Sequence, residues 1–202
     1  RNIHILIPIY ILNRKGSKKN SKFNIFYYLC DMRQLFGKIG DYMGLVKFSH
    51  TIFAMPFALM AFVFALKTTD TPFSWILLLQ VIGCMVFARN VAMGFNRWAD
   101  WKIDSENPRT ATREIPAGKI SPKSAMTFVV INALLFVAVS SSINLLTALL
   151  SPVALAVVMF YSYCKRFTSL AHLVLGLSLG IAPSAAYIAV TGALTWQVCL
   201  LS

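Results

Sequence analysis

The sequence predicts an all-α bundle of membrane-spanning helices, and three observations predict it. Apolar residues make up 57% of the chain and charged residues only 13%, against about 45–50% and about 25% in a soluble domain. Mean hydropathy is +0.67, more apolar surface than one soluble core can hide behind so few charges. The apolar residues also fall into runs close to the length of about 20 residues that crosses the hydrocarbon of a bilayer.

The elements follow in order. Residues 1–43 read as a basic leader, without defined structure or foreign to the native fold. The apolar run Ile3–Leu12 is too short to span, and the charges Arg14, Lys15, Lys18 and Lys19 follow it, the reverse of a signal peptide. Met32 is a candidate natural start. The folded domain is expected over residues 44–202, with complete spans at His50–Leu66, Phe73–Phe95, Ala125–Ile143, Leu145–Cys164 and Leu170–Val190 and a sixth starting near Trp196. Pro56, Pro152 and Pro183 lie inside spans, where neighbouring helices satisfy the freed carbonyls. Cys30, Cys84, Cys164 and Cys199 have no regular spacing and read as thiols behaving as small hydrophobes.

The net charge of +12 raises nucleic acid as a partner, but the positions of the bases exclude it. They cluster in the first fifty residues, in Arg97–Lys123 and at Lys165-Arg166, each beside an apolar run. No basic helix or aromatic-basic platform stands apart from the spans. Membrane lipid is the expected surroundings. The connections at Thr68–Thr71, Ser140–Asn144 and Thr191–Thr195 carry a single acid. Basic and nearly uncharged connections therefore alternate, which the positive-inside rule reads as a cytoplasmic N-terminus and a cytoplasmic loop after the second span.

That loop carries the chemistry. Asn96, Asp100 and Asp104 stand at i, i+4 and i+8, and on a helix each step of four advances about 40° past a full turn, so the three share one face. Oxygen ligands of this kind suit Mg²⁺, which binds one or two carboxylates together with substrate phosphates. Surface acids on a solvated helix end are the plain alternative. Against it, carboxylates at a membrane edge are costly unless partnered, and four of the seven acids, Asp100, Asp104, Glu106 and Glu114, fall in this one loop. Arg97, Lys102, Arg109, Arg113 and Lys119 accompany them, supplying the positive charge that phosphate oxygens need.

The segment Asn96–Ser121, "NRWADWKIDSENPRTATREIPAGKIS", resembles the first Asp-rich signature of UbiA-type prenyltransferases, Asn-x-x-x-Asp-x-x-x-Asp. The resemblance continues through Tyr161–Thr168, Leu175-Gly176 and Gly180–Pro183, and covers residues 44–202. It implies a polytopic bundle of about nine membrane helices around a cavity opening to the cytoplasm. It further implies transfer of a polyprenyl group from an allylic polyprenyl diphosphate to an aromatic acceptor, with 4-hydroxybenzoate the best match and a naphthoate-type acceptor the alternative. By resemblance, Asn96, Asp100 and Asp104 belong to a Mg²⁺-diphosphate site in a bacterial inner-membrane enzyme of quinone biosynthesis. Arg97 stands directly after the motif Asn, where several relatives carry another Asp. The family's second Asp-rich motif has no counterpart, since no Asp follows Asp104 and no Glu follows Glu114. A longer native chain is therefore expected, with the 202 residues inactive alone.

Tyr161, Lys165 and Arg166 form a family-like Tyr-x-x-x-Lys-Arg pattern. Tyr161 and Lys165, four apart, share a helix face, and the basic pair reads either as a diphosphate or acceptor-carboxylate site or as a topology anchor. His50 and His172 read as structural residues, Trp98 and Trp101 as interfacial anchors, and Gly176, Gly180 and Pro183 as packing and kinking features. A transporter or assembly subunit without chemistry, the competing class, would carry more polar residues near mid-span than Asn90 and Arg89.

Overall fold

The structure, a computed structural model, describes residues 19–167 and 171–196. The described residues are helical apart from short connections: α1 (Lys19–Val46), α2 (Phe48–Thr69), α3 (Trp75–Glu106), α4 (Pro122–Ser141), α5 (Leu145–Phe167) and α6 (Ala171–Thr191). The chain divides into two compact units, Arg1–Ile39 and Gly40–Ser202. In the first, residues 19–39 belong to α1, so a helix occupies part of the stretch read as a leader.

Each boundary in the second unit has a local cause. Lys47 takes a left-handed conformation (φ 46°), which interrupts α1 and α2 between Val46 and Phe48. Its amide closes the turn onto the Gly44 carbonyl at 3.1 Å. Ser74 caps α3 by accepting from the Leu77 amide. Ser121 caps α4, where Pro122 sits in the first turn and lacks the amide that would otherwise go unmet. The Asn144 carboxamide oxygen accepts from the Thr147 amide at 2.7 Å to start α5.

Five helices correspond to the five expected spans. Among the described residues, three are long and apolar enough to cross a membrane: Trp75–Glu106, Pro122–Ser141 and Leu145–Cys164. Shorter apolar stretches run over Met55–Thr69 and Gly176–Thr191, in α2 and α6. Outward faces are apolar, with Met60 and Val63 exposed on α2 and Val130, Ile131 and Leu134 on α4. Such faces are at home in lipid and costly in water. This is an integral membrane protein.

α3 is the central post and packs most extensively on α4. Because lipid supplies no hydrophobic drive between helices, small residues and hydrogen bonds hold them together. A Cβ on Gly94 would lie 2.9 Å from Val129 Cγ2, so the absence of a side chain sets how closely α3 and α4 approach. Gln80 donates to Ser142 Oγ at 2.9 Å, and Asn90 donates to Asn132 Oδ1 at 2.9 Å. On the other side of α3, Val81 packs with Ala58, Ala61 and Phe62 of α2 and with Ala186 and Ala189 of α6.

Candidate functional site

α3 runs eleven residues past Phe95 without a break, to Glu106. That continuation places Asn96, Asp100 and Asp104 on one helix at the end of the apolar run, as their spacing predicts. Below them lies a cavity of about 770 Å³ between α2, α3, α4, α5 and α6. Its walls are largely apolar, with Met85, Phe136, Leu155 and Ala186 among them. Of the three motif residues, Asn96 lines the cavity; Tyr161 faces the same space from α5.

Arg89 also lines the cavity, two turns before Asn96. Its Nε is buried without a hydrogen-bond partner. A guanidinium in a largely apolar wall is costly unless it meets an anion. In the sequence Arg89 is a polar residue near the end of a span, and a lone cation inside an apolar run is the signal that points to it.

Asp104 is turned elsewhere. It is 7% exposed, and both its carboxylate oxygens accept from Arg113 Nη1 at 2.7 Å. Thr110, equally buried, donates through Oγ1 to the Asp104 carbonyl oxygen at 2.9 Å. Arg97 is 7% exposed, close enough to Asp100, Asp104, Arg113 and Glu114 to interact through charge. Its Nε and Nη1 are buried without hydrogen-bond partners. Arg97 therefore belongs with the acids and loop, and the cavity wall does not include it.

The segment between α3 and α4 is a folded cap of successive turns. Amide-to-carbonyl bonds run from Thr110 to Asn107, Arg113 to Thr110, Ala117 to Arg113 and Ile120 to Glu114, all between 2.8 and 3.1 Å. Gly118 (φ 73°) supplies the left-handed residue inside the last of these turns, between Glu114 and Ile120. Ile115 and Ile120 are buried with Leu45 and Ala125, and Tyr42, Trp98, Trp101 and Phe128 pack around them. Trp98 and Trp101, expected as interfacial anchors, thus help to seat the cap. Lys102, Arg109 and Lys119 are exposed, with Lys102 Nζ 5.8 Å from the Trp101 ring centre. Gly176, Gly180 and Pro183, read as packing features, border the cavity. The side chains of Lys165, Arg166, His50 and His172 lie outside the described residues.

The donor chemistry fits a divalent cation held with phosphate. Asn96 and Asp100, one turn apart, offer hard oxygen ligands of the kind Mg²⁺ takes alongside substrate oxygens and water. Among the described residues, no group of three or more His, Cys, Asp or Glu side chains gathers as a protein-only metal cage.

Comparison with known proteins agrees with the motif. The chain is 36% identical over 124 residues to the 4-hydroxybenzoate octaprenyltransferase of Escherichia fergusonii, covering 61% of this chain and 42% of that protein. It is 39% identical over 125 residues to the protein of the same name from Citrobacter koseri, covering 61% and 43%. The chain thus spans less than half the length of these curated relatives. Among solved structures, the apo structure of a UbiA homolog from Aeropyrum pernix K1 superposes with a TM-score of 0.67 at 31% identity, covering 76% of this chain and 55% of that one. A digeranylgeranylglyceryl phosphate synthase shares the fold with a TM-score of 0.70 at 20% identity, covering 81% and 57%. Residues 54–202 match the model of the UbiA prenyltransferase family, and the chain belongs to that family.

Proposed function

We propose that the protein transfers a polyprenyl group from an allylic polyprenyl diphosphate to 4-hydroxybenzoate, in quinone biosynthesis. The observation that carries this reading is the position of Asn96, which opens the Asp-rich motif and also lines the cavity that would receive the reactants. Relatives named 4-hydroxybenzoate octaprenyltransferase, at 36% and 39% identity, support the choice of acceptor.

Asn96 and Asp100 would hold Mg²⁺ against the diphosphate, with Asp104 behind them in the same motif. When bound, the ion offsets the charge that builds on the departing diphosphate. Arg109 and Lys119 of the cap, with Lys102, Lys165 and Arg166, would supply positive charge to the phosphate oxygens; Arg113 is engaged by Asp104 instead, and Arg97 would act from among the acids. The cavity's apolar walls would keep water from the allylic cation until the electron-rich ring carbon beside the phenol attacks it and then releases its proton, restoring the aromatic ring. Arg89 would bind the acceptor carboxylate, pairing a guanidinium that otherwise has an unmet donor. Tyr161 would contact the reactants from the α5 wall. The excess of Lys and Arg on alternate connections supports a cytoplasmic N-terminus and a cytoplasmic active site, and the bacterial relatives support a bacterial inner membrane.

Prenyl transfer by membranes carrying the protein tests this reading. A long-chain prenyl diphosphate and Mg²⁺ are supplied with 4-hydroxybenzoate or with dihydroxynaphthoates. Product with 4-hydroxybenzoate, lost in EDTA and in Asp100→Ala, is the expected result. Product with a naphthoate alone keeps the chemistry and moves the acceptor to menaquinone synthesis.

A further inference from the structure

We propose that Asp104 is a positioning residue that clamps the 107–121 cap onto α3, and that the metal is held by Asn96 and Asp100 without it. This rests on the function proposed above and refines the role of a single motif residue within it. Helix geometry gives the first reason. Residues i and i+8 lie about 12 Å apart along the axis, whereas two ligands of one Mg²⁺ stand within about 4 Å of each other, since each Mg–O bond is about 2.0–2.1 Å. Asn96 and Asp100, about 6 Å apart along the axis, are within reach of one ion.

Occupancy gives the second reason. Both Asp104 oxygens already accept from Arg113 at 2.7 Å, and the residue is buried. Its carbonyl oxygen is also taken, by Thr110 Oγ1 at 2.9 Å. One residue of α3 thus grips the cap through main chain and side chain together. Freeing the carboxylate for a metal would strand Arg113 in a partly buried position, an unfavourable exchange. The clamp instead sets the place of Arg109 and Lys119, which ride on the same cap.

The test uses the protein reconstituted in lipid nanodiscs, with Mn²⁺ plus inorganic diphosphate as a spectroscopic stand-in for the metal complex. Electron paramagnetic resonance reads Mn²⁺ affinity, and hydrogen exchange reads the amides of residues 107–121. Asp104→Asn and Arg113→Gln should each accelerate exchange across the cap by about tenfold or more, while Mn²⁺ affinity stays within about twofold. The charge-swapped pair Asp104→Arg/Arg113→Asp should restore protection of the cap. A tenfold loss of Mn²⁺ affinity in Asp104→Asn that Arg113→Gln does not share, or a swap that fails to restore protection, overturns the proposal. Asp100→Asn separates the two readings. If Mn²⁺ affinity is indifferent to Asp100 as well, the metal site fails, whatever the cap does.

Discussion

Asn132 of α4 accepts the side-chain amide of Asn90 on α3 at 2.9 Å and returns its own amide to the Phe128 carbonyl at 2.8 Å. The pair fixes the rotation of α3 where it matters. Asn90 is bound to α4 while its chain neighbour Arg89 meets the cavity. Replacing Asn132 with Leu removes the acceptor and leaves the Asn90 amide among apolar side chains. We expect a loss of about 0.5–2 kcal/mol, the range for interhelical hydrogen bonds in membranes. Reversible unfolding in mixed micelles checks it, and Asn90→Leu/Asn132→Leu should recover some of the loss, because no donor is then stranded.

Gly94 tests the closeness of the same interface by steric means. An added Cβ would stand 2.9 Å from Val129 Cγ2 and 3.6 Å from Phe128 Cδ1. Gly94→Ala should therefore cost about 1–3 kcal/mol, typical of overpacking, although Ala is the better helix former. Val129→Ala should relieve much of the penalty in the double variant. A thermal unfolding series on the single and double variants decides the matter. Equal penalties with and without Val129 would mean that the contact is not the cause.

The helices of the second unit were legible because an apolar run has one structural answer in a bilayer. His50–Leu66 and Ala125–Ile143, for example, became α2 and α4 with shifts of two or three residues. The extension of α3 to Glu106 was legible from the four-residue spacing of Asn96, Asp100 and Asp104. α1 was not, because Lys19, Lys22, Arg33 and Lys38 break its apolar residues into runs too short to read as a span. The Asp104–Arg113 pair was equally hidden. It joins residues nine apart through a series of turns, and only the folded cap brings a guanidinium back onto the helix it left. Arg89 could be seen in the sequence, but whether it faced lipid, a neighbour or a cavity depends on helix rotation, set here by Asn90 and Asn132.

Arg89 carries a sharp kinetic expectation under the proposed function. Arg89→Met removes the charge while keeping most of the side-chain volume. A hydrogen bond to a charged group contributes about 1.5–3 kcal/mol, so KM for 4-hydroxybenzoate should rise by about ten- to a hundredfold. KM for the prenyl diphosphate should change little, because under that reading the motif and the cap would hold its diphosphate, two turns along α3 from Arg89. An equal rise in both constants would mean that Arg89 supports the cavity as a whole.

Glu114 links the cap to the last turns of α1. A Cβ on Gly44 would fall 2.6 Å from Glu114 Oε1, so the carboxylate lies directly against the helix backbone. Its other oxygen, Oε2, is buried without a hydrogen-bond partner, and its charge acts on the buried Arg97. Glu114→Gln keeps the shape and removes the charge that offsets Arg97. Breaking a buried ion pair costs about 3–5 kcal/mol; Glu114→Gln should lose less, about 1–2 kcal/mol, because Asp104 and Asp100 still act on Arg97. Gly44→Ala, by contrast, keeps the charge and takes the space. Exchange of the 107–121 amides should rise in both variants, but added salt should narrow the difference from wild type only for Glu114→Gln, since screening weakens charge interactions and leaves a steric clash untouched. If salt affects the two variants alike, Glu114 holds the cap by shape alone.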